Sequence, residues 1–154
     1  LFCFFFTSES HINMLISGEN LKKEDQEVLE GILAQVIEKY VKFKVFSSDE
    51  TSHALKAFTD YLSKVYGLLL LSFKEGSLII ILGCPSLKSL ELLWRDYQSG
   101  HLNEVAEGYL VTDGIKRKLN LKTIRLKTTI KEENYQNCRE ALMKLQSTSS
   151  GEYK

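Results

Sequence analysis

Proline is nearly missing from this sequence: Pro85 is the only one in 154 residues. No Pro-, Gly- or Ser-rich run breaks the middle of the chain, so nothing marks a linker, and the length is that of one domain. No charge of either sign prevails: 20 Lys and Arg stand against 20 Asp and Glu, for a net charge of +0. That balance argues against a general nucleic-acid binder, which needs a basic excess to neutralise phosphates, though local patches remain possible. No apolar run approaches the ~18 residues that span a bilayer, and Leu1–Phe6 is too short even for a signal sequence. The chain does not open on Met. The Leu1–Phe6 run reads as the end of a preceding apolar segment, a stray strand or an added sequence, and the choice among these stays open.

Reactive groupings are also scarce. Cys3, Cys84 and Cys138 are odd in number and far apart, without CxxC or Cys/His ligand spacing. They predict neither a zinc site nor a disulfide framework and read as reduced, structural thiols of an intracellular protein. His11, His53 and His101 form no HExxH pattern, and no Ser sits in a nucleophile elbow. Glu75-Gly76 and Asp113-Gly114 are turn signals rather than phosphate loops, and Glu132-Glu133 are helix-start charges. Trp94 falls on a helical apolar stripe. No catalytic residue, metal or cofactor is indicated, although groups that converge only in space escape this reading.

What is present is a core. Hydrophobic residues make up 44% of the chain, enough to fold without a staple. Apolar residues at Val28, Leu29, Ile32, Leu33, Val36, Ile37 and Tyr40 predict a helix over 21–40, with Asn20 as N-cap. Val41-Lys42-Phe43-Lys44-Val45-Phe46 alternates as a half-buried strand does. Ser47 and Glu50 have capping-box spacing and open a helix carrying Leu55, Phe58, Tyr61, Leu62 and Val65, which Gly67 stops. Strands over 68–74 and 77–82 follow, joined at Glu75-Gly76 by a tight hairpin; the second is apolar on both faces and reads as central. Pro85 suits the first turn of a helix bearing Leu87, Leu90, Leu93, Trp94 and Tyr97. A second helical piece follows Gly100, a short turn starts at Thr112, a strand runs over 122–129, and a last helix bears Tyr135, Cys138, Leu142 and Leu145.

From 41 to 130 the order is strand, helix, strand, strand, helix, strand. This predicts an α+β, ferredoxin-like βαββαβ sandwich. Its four-stranded antiparallel sheet, with the first and third strands central, carries helices on one face, and further helices flank it at both ends of the chain. Residues 1–20 are an uncertain N-terminal segment, 21–146 the single domain and 147–154 a disordered tail.

From Leu68 onward the chain resembles the TRADD N-terminal domain family. The resemblance rests on Ser77-Leu78-Ile79-Ile80-Ile81-Leu82-Gly83-Cys84, the Leu90–Tyr97 helix, Tyr97-Gln98-Ser99-Gly100-His101-Leu102, the Leu121–Thr129 segment and the Cys138 helix. It implies an α/β sandwich acting as a cytoplasmic, non-enzymatic adaptor in apoptosis and innate immunity. It further implies a sheet side that binds the C-terminal domain of TRAF-type adaptors, with Ile79 at the place of an aliphatic contact residue.

The residues themselves point to the same face. Lys42 and Lys44 on the expected first strand, and Arg125 and Lys127 on the last, would adjoin in a basic patch. Ile79 and Ile81 would supply its apolar centre. That surface suits an acidic protein partner or self-association. Two blander readings compete: outward lysines that merely keep strands soluble, and a 21–40 helix folded over the face that buries Ile79. The alternative function is a nucleic-acid-binding ferredoxin-like domain, which would need aromatic rings on the central strands.

Overall fold

The computed structural model describes residues 10–74 and 78–152, with side chains through Gln146. The Leu1–Phe6 run, Cys3 and the Glu75-Gly76 turn lie outside the described residues. The chain order is β1 (His11–Gly18), α1 (Lys23–Phe43), α2 (Glu50–Tyr66), β2 (Leu69–Lys74), β3 (Ile79–Gly83), α3 (Leu87–Gln98), α4 (His101–Leu110), α5 (Asp113–Leu119), β4 (Leu126–Thr129) and α6 (Glu132–Glu152). The strands form one antiparallel sheet of order β2-β3-β1-β4, so the first and third strands are central.

β1 stands in the segment whose role the sequence left open. Ile12, Met14 and Ile16 are buried while His11, Asn13, Leu15 and Ser17 are half-buried, the period of 2 that a strand with one core face requires. The expected strand over 41–46 does not exist. α1 continues through it because Ile37, Tyr40 and Val41 extend the helical stripe and Lys42 pairs with Glu38 one turn back at 2.7 Å. The residues that alternation would turn inward point to solvent instead: Phe43 is 67% exposed and Val45 52%. Lys44 ends the helix in the left-handed region at φ 56°, and Phe46 returns to stack on Tyr40 with ring centroids 4.3 Å apart.

The other elements follow their local chemistry. Asp49, rather than Ser47, caps α2: its carboxylate accepts from the Ser52 N–H at 3.2 Å and the Ser52 hydroxyl at 2.6 Å. Gly67 closes α2 at φ 70°, as its position predicts. Ser86 and Thr112 cap α3 and α5. Asn20 is not the cap of α1. Its amide instead ties the β1–α1 turn to the approach of β4, donating to Thr123 O at 3.0 Å and accepting from the Arg125 N–H at 3.0 Å.

All fully buried side chains of the four strands share one face. Ile12, Met14, Ile16, Leu70, Ile80, Leu82 and Leu126 form a single core with Leu29, Leu33 and Ile37 of α1, Phe58 and Leu62 of α2, and Leu90 and Leu102 of α3 and α4. α1 therefore packs on the core side and leaves the opposite face alone. Side chains complete the sheet where strands run out. Asn134 at the start of α6 accepts from the Asn13 N–H at 2.7 Å and donates to His11 O at 2.8 Å, on the part of β1 that β4 does not reach. On the outer edge of β4, Glu107 and Asn103 of α4 accept from the N–H groups of Leu126 and Thr128 at 3.0 and 2.7 Å.

Two outcomes follow. Asn134→Ala strips partners from two backbone groups of a central strand and lowers stability by about 1–3 kcal/mol in urea unfolding. Val45→Ser stays within about 0.5 kcal/mol of the parent, the value for an exposed surface site; a core strand at 41–46 would lose several times more.

Candidate protein-interaction face

The register places Ile79 opposite Leu15 on one side and Lys74 on the other, and Leu15 opposite Thr129. The next row sets Ser72, Ile81 and Asn13 side by side, and Lys127 lies across from Ser17. These residues occupy the face turned away from the core. Leu15, Ile79 and Ile81 are half-buried by their strand neighbours and take no part in the main core. Lys74 and Lys127, at opposite ends of the face, are exposed and in no ion pair among the described residues. The arrangement is a small aliphatic centre between two cationic ends, with amide and hydroxyl groups between them. No Phe, Tyr or Trp stands on this face of β1 or β3.

Of the residues singled out from the sequence, Ile79, Ile81 and Lys127 lie on one face. Lys42 and Lys44 are elsewhere, because the segment that carries them is the end of α1 and its cap. Arg125 is exposed one residue before β4, and its backbone is taken up by the β1–α1 turn: its carbonyl accepts from the Glu19 N–H at 2.8 Å. The missed residues are Leu15, Asn13 and Lys74. The alternation over 11–17 was the signal for the first two.

Other polar clusters do not form a cleft. Tyr61 hydroxyl lies 3.1 Å from His101 Nε2, and His101 Nδ1 lies 3.8 Å from Glu104, but His101 is 46% and Glu104 83% exposed. A surface hollow of about 500 Å3 is lined by Lys44, Val45, Phe46, Ser47, Ser48, His53 and Lys56, on the α1–α2 connection. Among the described residues, no three of His, Cys, Asp and Glu gather to hold a metal, and no helix is long and apolar enough to cross a membrane.

Two tyrosines are perturbed by their packing. Burial, and the bond its hydroxyl donates to Asp96 at 2.7 Å, push the Tyr66 phenol far above its ordinary 10.0. Tyr135, stacked on Trp94 at 4.1 Å and donating to Glu91 at 2.8 Å, is raised by burial and by that carboxylate. Both are supports of the helical layer, between α2 and α3 and between α6 and α3.

Residues 52–115, from α2 into α5, match the family described as the TRADD-like N-terminal domain. This is the family that the residue pattern from Leu68 onward resembles; the match begins earlier in α2 and stops short of β4 and α6. The chain is also similar to the death effector domain-containing proteins of Homo sapiens, Mus musculus and Rattus norvegicus. Each is 33% identical over 69 residues, 45% of this chain and 22% of theirs, so the matched segment spans under a quarter of those relatives. No solved structure matches the chain.

Adjacent isoleucines test the geometry. Ile80→Asp buries a charge in the core and costs more than about 4 kcal/mol, whereas Ile79→Asp on the open face costs less than about 1.5 kcal/mol, both read from chemical unfolding. Raised phenol pKa values mean that the contribution of Tyr66 and Tyr135 is intact below pH 10 and is lost as pH rises above it. In an absorbance titration, Tyr66 should stay silent well past pH 10, and Tyr135 should ionise above pH 10.

Proposed function

We propose that this chain is a non-enzymatic adaptor module of death- and immune-type signalling, cytoplasmic in setting, that binds another protein through the face centred on Ile79 and Ile81. The observation that carries the reading is the aliphatic centre with lysines at both ends, on the side of the sheet that no helix among the described residues covers. It has the anatomy of a recognition surface: an apolar middle and a charged rim. The match of 52–115 to the TRADD-like N-terminal domain and the similarity to death effector domain-containing proteins support a protein partner. The order β2-β3-β1-β4, with its two central strands flanked by the second and fourth, supports reading the sheet as ferredoxin-like.

Size constrains the interface. Four strands spaced by about 4.8 Å and five residues rising about 3.4 Å each offer roughly 300 Å2, against about 800 Å2 per partner in a standard interface. The partner must therefore reach past the strands to the rim, where Arg125 and Lys127 stand near one end and Lys74 at the other. An acidic surface meets those charges, and a TRAF-type adaptor domain is the partner we propose. Self-association through the same face is a second route to covering it. A nucleic-acid reading has less support: stacking platforms are missing from β1 and β3, and the net charge is +0.

The test is a titration of a TRAF-type C-terminal domain against the whole chain by surface plasmon resonance. Binding to the parent, with at least a hundredfold loss in Ile79→Asp while the variant stays folded at the assay temperature, is the expected result. No binding to the parent rejects that partner. Retention by Ile79→Asp rejects the face, and a low-salt gel shift with RNA would favour the nucleic-acid reading.

A further inference from the structure

α1 ends at Phe43 and α2 begins at Glu50, and the connection between them is tied down along its length. The Lys44 N–H donates to Tyr40 O at 2.7 Å. The Phe46 ring lies on the Tyr40 ring, and Lys44 Nζ is 5.6 Å from the centre of that same ring. Lys39 Nζ donates to Ser47 Oγ at 2.7 Å, and the Asp49 carboxylate caps α2. The ties act at different residues, so the connection is a preformed wall that a ligand need not first put in order.

The hollow of about 500 Å3 on this connection combines two chemistries. Val45 and Phe46 give it apolar surface. Lys44 gives it a cation, and so does Lys56, which lies one turn beyond His53 on the same side of α2. Ser47 and Ser48 add hydroxyls, and no carboxylate lines the hollow among the described residues. Asp49 is taken up by Ser52 at the start of α2. Asp60 pairs with Lys56 at 2.8 Å, but that pair is exposed and weak, so Lys56 can exchange it for another carboxylate. Phe43 and Val45, on either side of Lys44 in the chain, are the two most exposed large apolar side chains among the described residues. Exposed apolar surface beside basic groups is the mark of a recognition site.

We propose that the hollow at the α1–α2 connection binds an acidic peptide segment of another protein, with a large apolar side chain of that segment on Val45 and Phe46 and its carboxylates on Lys44 and Lys56. Charge complementarity selects this occupant. A bare anion leaves the apolar wall in water, and the hollow is far larger than one ion, within the roughly 300–1,000 Å3 of clefts that take an organic ligand. A wholly apolar segment would desolvate the lysines without pairing them. A segment that is both acidic and apolar meets both requirements. None of the lining residues belongs to a strand, so the site is separate from the face centred on Ile79 and does not rest on that reading.

The experiment is a fluorescence-anisotropy titration of the full chain into the labelled peptide acetyl-Asp-Glu-Leu-Phe-Glu-Asp-amide. The expected result is saturable binding that weakens with added salt, by about tenfold in the double variant Lys44→Gln/Lys56→Gln, and by about threefold in Val45→Ser, with both variants melting as the parent does. Converting the acids of the peptide to their amides, or its Leu-Phe to Ala-Ala, should also cost about tenfold. No saturable binding to the parent overturns the proposal, as does equal binding by the double variant or by the amide peptide. Should the double variant fail to fold, equal binding by Val45→Ser overturns it. Binding to vesicles of phosphatidylserine and phosphatidylcholine, with none to the peptide, makes the surface a lipid site and overturns it too.

Discussion

The structure depends on one strand being paired on both sides. Among the described residues β1 alone is bonded to both β3 and β4, and through Asn134 it also receives the first turn of α6. Its Ile12, Met14 and Ile16 are the middle of the apolar layer on which α1 and α2 rest. Take β1 away and the sheet divides into a two-stranded hairpin and a lone four-residue strand, neither of which is stable alone. The face opposite the core owes its aliphatic centre to the same strand, since Leu15 fills the place beside Ile79.

Much of this was legible in the residues. Helical stripes over 21–40 and 50–66, the stop at Gly67 and the central character of the Leu78–Leu82 run all reflect period and turn chemistry that act locally. The error at 41–46 shows where local reading fails. Val41, Phe43 and Val45 satisfy a period of 2, while Ile37, Tyr40 and Val41 satisfy a period of 3.6, and six residues cannot separate the two. Tertiary contact decided it: Tyr40 had a partner in Phe46, and Phe43 had none in the core. Asn103, Glu107 and Asn134 were illegible for a different reason. Each is an ordinary polar helix residue until the chain fold brings a strand edge to it.

The same division explains the candidate face. Ile79 and Ile81 could be assigned together because residues two apart on a strand share a face. The lysines could not all be assigned, because a charge has no period of its own and goes where its element goes. Lys127 kept its place with β4; Lys42 and Lys44 went with the end of α1, and Lys44 borders the hollow with His53 and Lys56. Helices thus hold one side of the sheet and the edge of β4; the other side is the one where, among the described residues, lysines lie outside ion pairs and aliphatic groups lie outside the core.

The pairing of Leu15 with Thr129 has a consequence for how the chain comes to be folded. One of the innermost strands is near the start of the chain, and its neighbour is more than a hundred residues later. Closing such a long loop is costly in entropy and slow, and β1 is made well before the segment it must meet. During synthesis its Ile-Asn-Met-Leu-Ile stretch waits with both edges unsatisfied, an interval in which a ribosome-bound chaperone, or the wrong strand, has first access to it.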